Sequence, residues 1–129
     1  IAAMAEFARA AGVALRPHAK THKSAEIARL QIAAGAVGVC CAKLGEAEAL
    51  AGEGIDGILI TSPVATPQAI ARLIGLHARM RDLAVVADNP DNASALAEAA
   101  RGAERPLTVL VDVDPGIRRT GVASLEAAV

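Results

Sequence analysis

Residues 36–62 read AVGVCCAKLGEAEALAGEGIDGILITS: an apolar run, a helical stretch closed by glycine, then a second apolar run. Neither run alternates apolar with polar residues, as a strand with one face in water does. Both are almost continuously apolar, the pattern of strands in a parallel sheet that helices cover. Strand, helix and strand within ~30 residues make one βαβ unit.

The same alternation extends in both directions. Upstream, IAAMAEFARAAG reads as a helix stopped at Gly12, VALRPHAK (13–20) as a strand, and Ser24 as the cap of a helix over 25–35. Downstream, Thr66 and Pro67 open a helix to about Met80, and LAVVAD (83–88) is a strand. NPDNASALAEAARG (89–102) is a loop and helix, PLTVLVDVD (106–114) the last strand, and SLEAAV (124–129) the opening turn of another helix.

Five strands separated by helices fit an open doubly wound sheet or part of a (β/α)8 barrel. A full barrel needs about 250 residues. A chain of 129 residues therefore holds about five consecutive βα units of one. No G-x-G-x-x-G turn follows the first strand and no P-loop occurs. Polar residues instead gather where successive strands end: Lys20-Thr21-His22, Cys41-Ala42-Lys43, Thr61-Ser62, Asp88-Asn89, and Asp112 to Arg119. In α/β proteins that end carries the chemistry. The predicted fold class is α/β, a partial (β/α)8 barrel spanning 1–129.

Composition narrows the function. The net charge is -1, cations are scattered, and Phe7 is the only aromatic residue, so neither a phosphate-tracking surface nor a base-stacking platform is expected. No apolar segment approaches the ~18 residues of a membrane helix. Cys40 and Cys41 are adjacent, so on a strand they point to opposite faces. With no disulfide framework, a cytoplasmic location is expected. The chain starts at Ile1 inside a helical pattern, and both ends read as cut.

LRPHAKTHKS (15–24) crowds one arginine, two histidines and two lysines into an apolar chain. A lysine in a dry pocket with cationic neighbours loses its charged form and becomes a nucleophile toward carbonyls. On a strand, His18 and Lys20 share a face while Ala19 packs outward under a helix, and Lys23 falls in the exposed turn. The bland alternative is a solvated basic turn. In VDVDPGIRRTGV (111–122), Pro115 and Gly116 set a turn from which Arg118 and Arg119 emerge. Such a guanidinium can bind an oxyanion. It can equally pair with Asp112 or Asp114 and staple the loop. His77 reads as a surface or helix-end residue, and Glu46 and Glu48 as lying on an exposed helix. Asp88 to Asp91 read as a strand-end turn and helix cap.

RPHAKTHKS followed about a hundred residues later by DVDPGIRRTGV resembles the pyridoxal-phosphate barrel domain of the D-threonine aldolase / D-serine dehydratase-like family, grouped with alanine racemase as fold type III. AGAVGVCCAKLGEAEAL and ILITSPV also look like that family, so the resemblance covers the chain. It implies that Lys20 is the lysine bonded to pyridoxal 5'-phosphate. It also implies that Arg119, in the D-x-G-x-x-R-x-G frame of Asp114, Gly116, Arg119 and Gly121, contacts the cofactor's phenolic oxygen. His18, in the H-x-K-T-H-K pattern, is implied as a weaker cofactor contact or a strand-end support.

The implied activity is a lyase acting on D-3-hydroxy amino acids, of D-threonine aldolase type. D-serine dehydratase, 3-hydroxy-D-aspartate aldolase and racemase activities are its alternatives. A pyridoxal-phosphate homeostasis protein is disfavoured by Ala19 before Lys20, and an inactive fragment is the remaining alternative. The resemblance further implies a divalent metal held by a C-terminal β domain beyond this chain, and a homodimer. The isolated chain is expected to have little activity.

Overall fold

Three helices begin on side chains that the sequence marks as caps. In the computed structural model, which describes residues 1–124 and 126–128, Ser24 Oγ accepts from Ile27 N–H at 3.2 Å, Thr66 Oγ1 from Ala69 N–H at 3.3 Å, and Asn89 Oδ1 from Asn92 N–H at 2.8 Å. Each satisfies a first-turn donor that has no partner within the helix. Pro67 and Pro90 occupy the first helical turn, where a missing N–H costs nothing.

The helices are α1 (Ala2–Ala10), α2 (Ala25–Ala33), α3 (Leu44–Gly52), α4 (Pro67–His77) and α5 (Pro90–Ala99). The strands are β1 (Val39–Cys41), β2 (Ile58–Ile60), β3 (Leu83–Ala87) and β4 (Thr108–Val111). They form one parallel sheet in the order β1-β2-β3-β4. Sequence neighbours are spatial neighbours throughout, without the reversal of order that defines a doubly wound sheet. The structure therefore follows the barrel reading, as an arc.

Strand register sorts the side chains. His18, Cys40, Leu59, Ala84 and Thr108 pair successively across the sheet and share one face. The opposite face meets the helices. There Val39, Cys41, Ile58, Ile60, Leu83 and Val85 join Leu44, Leu50, Ile70, Leu73, Leu76 and Leu96 in one apolar core. Ala19 belongs to that core at 2 % exposure, packed as expected. β4 forms an edge, and its Val109, Leu110 and Val111 are exposed.

One predicted strand does not form. Of the predicted residues 13–20, the stretch up to His18 runs beside β1, with Leu15 O accepting from Val37 N–H at 2.9 Å and Pro17 O from Cys40 N–H at 2.7 Å, but only an isolated bridge results. Pro17 has no N–H to return, and the chain leaves the ladder at His18 to make a 3-10 turn over Ala19–Thr21. His77 also departs in part from expectation. It ends α4, but it is buried, its Nε2 donating to Arg105 O at 3.0 Å. In SLEAAV, Glu126–Ala128 forms a short 3-10 turn, and Leu125 and Val129 lie outside the described residues.

Candidate active site

The C-terminal ends of the strands form one rim, and the Lys20 turn sits on it. His18 caps this turn from both of its polar ends. Its Nδ1 accepts from Lys20 N–H at 3.3 Å, and its carbonyl accepts from Thr21 Oγ1 at 3.1 Å. Its Nε2 lies 3.2 Å from Thr61 Oγ1, at the end of β2. Lys20 itself is exposed, so these residues do not build the dry pocket expected around it. Leaving the ladder at His18 is the reason, because the turn lifts Lys20 off the sheet face it would otherwise share.

Neighbouring cations separate by their partners. Lys23 Nζ lies 3.5 Å from Glu46 Oε1, and Lys23 holds a positive φ of 49° that seats it there. Lys20 makes no ion pair and no side-chain hydrogen bond among the described residues. Glu46 is more than a residue of an exposed helix. It is half-buried, and its Oε2 accepts from Ala42 N–H at 2.9 Å, tying α3 to the end of β1. Glu48 is likewise half-buried and pairs with Arg72 across α3 and α4.

Arg119 lies in an exposed loop after β4. Asp114 organises that loop, its carboxylate accepting from Gly116 N–H at 2.9 Å and from Arg118 N–H at 2.9 and 3.0 Å. The staple is thus carboxylate to backbone, and no Arg–Asp ion pair involves Arg119 among the described residues. The loop returns to its own start, where Asp114 N–H donates to Val122 O at 2.9 Å and Val122 N–H to Asp112 O at 2.8 Å. Glycine is required at 121: its φ is 100°, and a Cβ there would stand 2.5 Å from Asp114 N. Gly121 N–H also donates to Asp88 Oδ2 at 3.4 Å, joining the loop to the end of β3.

The fold therefore brings His18, Lys20 and Thr61 together and places Arg119 on the same rim at the far edge of the sheet. Four strand spacings separate the His18 bridge from β4, roughly 19 Å along the arc at ~4.8 Å each. Sequence reasoning noted Thr61 only as a polar strand end and did not assign Glu46 to the site. No periodicity signals either role, since both depend on contacts across the fold.

Local electrostatics follow burial and neighbours. Burial, then the Lys20 charge, holds the His18 imidazole below its usual range, against Glu46 and the Cys40 backbone. Burial alone would raise Glu46, but the Ala42 N–H and Lys23 outweigh it, and its carboxyl lies below the usual range. Burial pushes the Cys41 thiol up to about 12 and raises Cys40 as well. Neither cysteine is bonded to another. Among the described residues no group of three or more His, Cys, Asp or Glu could hold a metal ion, and no helix is long and apolar enough to cross a membrane.

The model of the alanine racemase N-terminal domain family matches residues 1–129. The chain belongs to this family. The D-threonine aldolase of Arthrobacter sp. is 44 % identical over 121 residues, 94 % of this chain and 32 % of that protein. The 3-hydroxy-D-aspartate aldolase of Paracoccus denitrificans is 39 % identical over 127 residues, 98 % of this chain and 33 % of that protein. Among solved structures, the D-threonine aldolase of Filomicrobium marinum superposes with a TM-score of 0.93 at 39 % identity, covering 98 % of this chain and 34 % of that one. The chain thus spans about a third of the length of these relatives.

Proposed function

We propose that the protein carrying this chain is a pyridoxal-phosphate-dependent lyase of D-3-hydroxy amino acids, with D-threonine aldolase activity. One observation carries the reading. The strand-end rim presents an amine and a guanidinium, Lys20 and Arg119, that the described residues leave uncommitted, in a chain closely similar to aldolases of such substrates. That donor set suits a ligand with an aldehyde and a phenolic oxygen: a primary amine bonds the first, and a guanidinium hydrogen-bonds the second. Lys23 fits less well, because Glu46 occupies it.

When bound, pyridoxal phosphate supplies an electron sink for the charge that develops at the substrate α-carbon. Lys20 would hold the cofactor through Nζ, its exposed amine being free of any ion pair among the described residues. Arg119 donates to the phenolic oxygen, from a loop that Asp114 and Asp88 keep in place. In the cleavage the β-hydroxyl loses its proton, the Cα–Cβ bond breaks, an aldehyde departs, and the α-carbon takes up a proton to leave glycine. A divalent metal finds no ligand set among the described residues. His18 has both ring nitrogens engaged within the chain, which favours a supporting role over a cofactor contact.

Borohydride reduction of the full-length protein with pyridoxal phosphate, followed by peptide mapping, should find the adduct on Lys20 and lose it in Lys20→Ala. An adduct on Lys23 or Lys43 would overturn the lysine assignment. Incubation with D-threonine should release glycine and acetaldehyde in equal amounts. Release of a 2-oxo acid and ammonia instead would move the activity to the dehydratase class.

A further inference from the structure

Thr61 sits where the end of β2 meets the Lys20 turn. Its N–H donates to Cys41 O at 2.8 Å, and its hydroxyl donates to the same carbonyl at 3.1 Å. A hydroxyl has one hydrogen. With that hydrogen directed at Cys41, the 3.2 Å contact with His18 must be donated by the ring, from Nε2–H to Thr61 Oγ1. On the other side of the ring, Lys20 N–H is a donor only, and it points at Nδ1 from 3.3 Å. Both contacts are satisfied by one form of the ring: neutral, with its proton on Nε2 and Nδ1 bare.

We propose that Thr61 fixes the tautomer of His18, and that the ring so fixed holds the backbone of Lys20, making Thr61 and His18 positioning residues for the Lys20 amine. The functional meaning rests on Lys20 being the cofactor lysine, whereas the clamp itself rests on the hydrogen bonds alone.

Protonation of His18 would destroy the clamp. A proton on Nδ1 replaces the acceptor with a donor facing Lys20 N–H, and the bond is lost. The groups acting on the ring are Lys20 on its own turn, Glu46 from α3, and from β1 the Cys40 backbone, while the Cys40 thiol is directed at Arg16 O; from β2 comes Thr61. Burial and Lys20 hold the ring below its usual range, so it is neutral near pH 7. A histidine whose folded value is depressed binds fewer protons folded than unfolded. Its contribution is therefore complete above the ordinary value of about 6.5 and is lost as pH falls toward the lowered folded value.

The test uses the full-length protein and reads amide hydrogen exchange at Lys20, with the His18 ring nitrogens followed by 15N NMR. In wild type, Nε2 carries the proton, and the Lys20 amide loses its protection as pH falls through the His18 transition. Thr61→Val, an isosteric change suited to a strand end, should speed exchange at Lys20 about fivefold, the worth of one hydrogen bond. Thr61→Ser should restore the wild-type rate.

His18→Asn keeps an oxygen able to accept from Lys20 N–H but cannot titrate, so protection should persist and its pH dependence vanish. Should Thr61→Val fail to fold, this variant decides alone. Unchanged exchange in Thr61→Val, a proton found on Nδ1, or a wild-type pH dependence in His18→Asn would each overturn the clamp. Formation of the reduced pyridoxal-phosphate adduct at Lys20 is read in parallel and should slow in Thr61→Val. Absence of any Lys20 adduct in wild type refutes the cofactor reading alone, since exchange still decides the clamp.

Discussion

The Glu46 carboxylate joins the end of β1 to the basic turn, accepting from Ala42 N–H at 2.9 Å through one oxygen and facing Lys23 Nζ at 3.5 Å through the other. One side chain thus sets the spacing between the Lys20 turn and the sheet, and leaves Lys20 as the free amine of the pair.

Glu46→Ala should lower stability by roughly 1–2 kcal/mol, because the half-buried Ala42 N–H loses a charged acceptor. Glu46→Gln, which retains an acceptor oxygen, should lose less. The Glu46 carboxyl lies below its ordinary value once folded, so its contribution is present above pH ~4.5 and fades as pH falls through the lowered value. Thermal unfolding of wild type and Glu46→Gln between pH 3 and 7 checks this, and the Gln variant should show the flatter profile.

Gly38 and Gly57 lie back to back where β1 and β2 begin. A Cβ on Gly38 would stand 1.9 Å from Gly57 O, and the φ of 143° at Gly38 already disfavours any side chain. Gly38→Ala should therefore cost about 3 kcal/mol or more, since the obstacle is backbone and cannot swing aside. Denaturant unfolding measures it. Gly75→Ala, on α4 with no atom within 4 Å of the added Cβ, is the control and should be neutral or stabilising.

Cys41 should resist alkylation. Its thiol is buried in the core and raised to about 12, so almost no thiolate exists near pH 8. Cys40, half-buried and raised for the same reason, should react more slowly than a free thiol but faster than Cys41. Timed iodoacetamide labelling with mass mapping of the native protein gives the order. Equal rates would mean that the β1 end opens readily.

Asp114→Ala should free the loop that carries Arg119, because three backbone contacts from Gly116 and Arg118 converge on this carboxylate. Hydrogen exchange at the Gly116 and Arg118 amides should rise while β3 is unchanged. The Arg118 and Gly116 N–H bonds hold the Asp114 carboxyl below its usual range, so the loop should keep its protection down to a lower pH than an ordinary aspartate would allow. Asp114→Asn, with one acceptor oxygen, should fall between the two.

Much of this architecture was legible residue by residue. Ser24, Thr66 and Asn89 announced helix starts because a cap is a local device, needing only a side-chain oxygen and an amide a few residues on. The apolar runs around Val39, Ile58 and Val85 marked buried parallel strands for the same kind of reason. The first predicted strand failed at Pro17, where apolar composition outweighed a missing donor in the reading but not in the ladder. The site was legible in part. Lys20 and Arg119 stood out through their motifs, whereas the partners of Lys23 and His18 lie 23 and 43 residues away and leave no trace in local spacing.

Element order, helix caps, apolar strands and family membership were determined by the sequence alone, because each depends on residues a few positions apart or on a recognisable run of them. Tertiary structure alone decided that the chain leaves the ladder at His18 and that Glu46 occupies Lys23 rather than Lys20. It also decided that Thr61 dictates which nitrogen of His18 carries the proton. Those outcomes depend on which distant groups the fold brings within about 3 Å, the range over which a hydrogen bond has strength and direction.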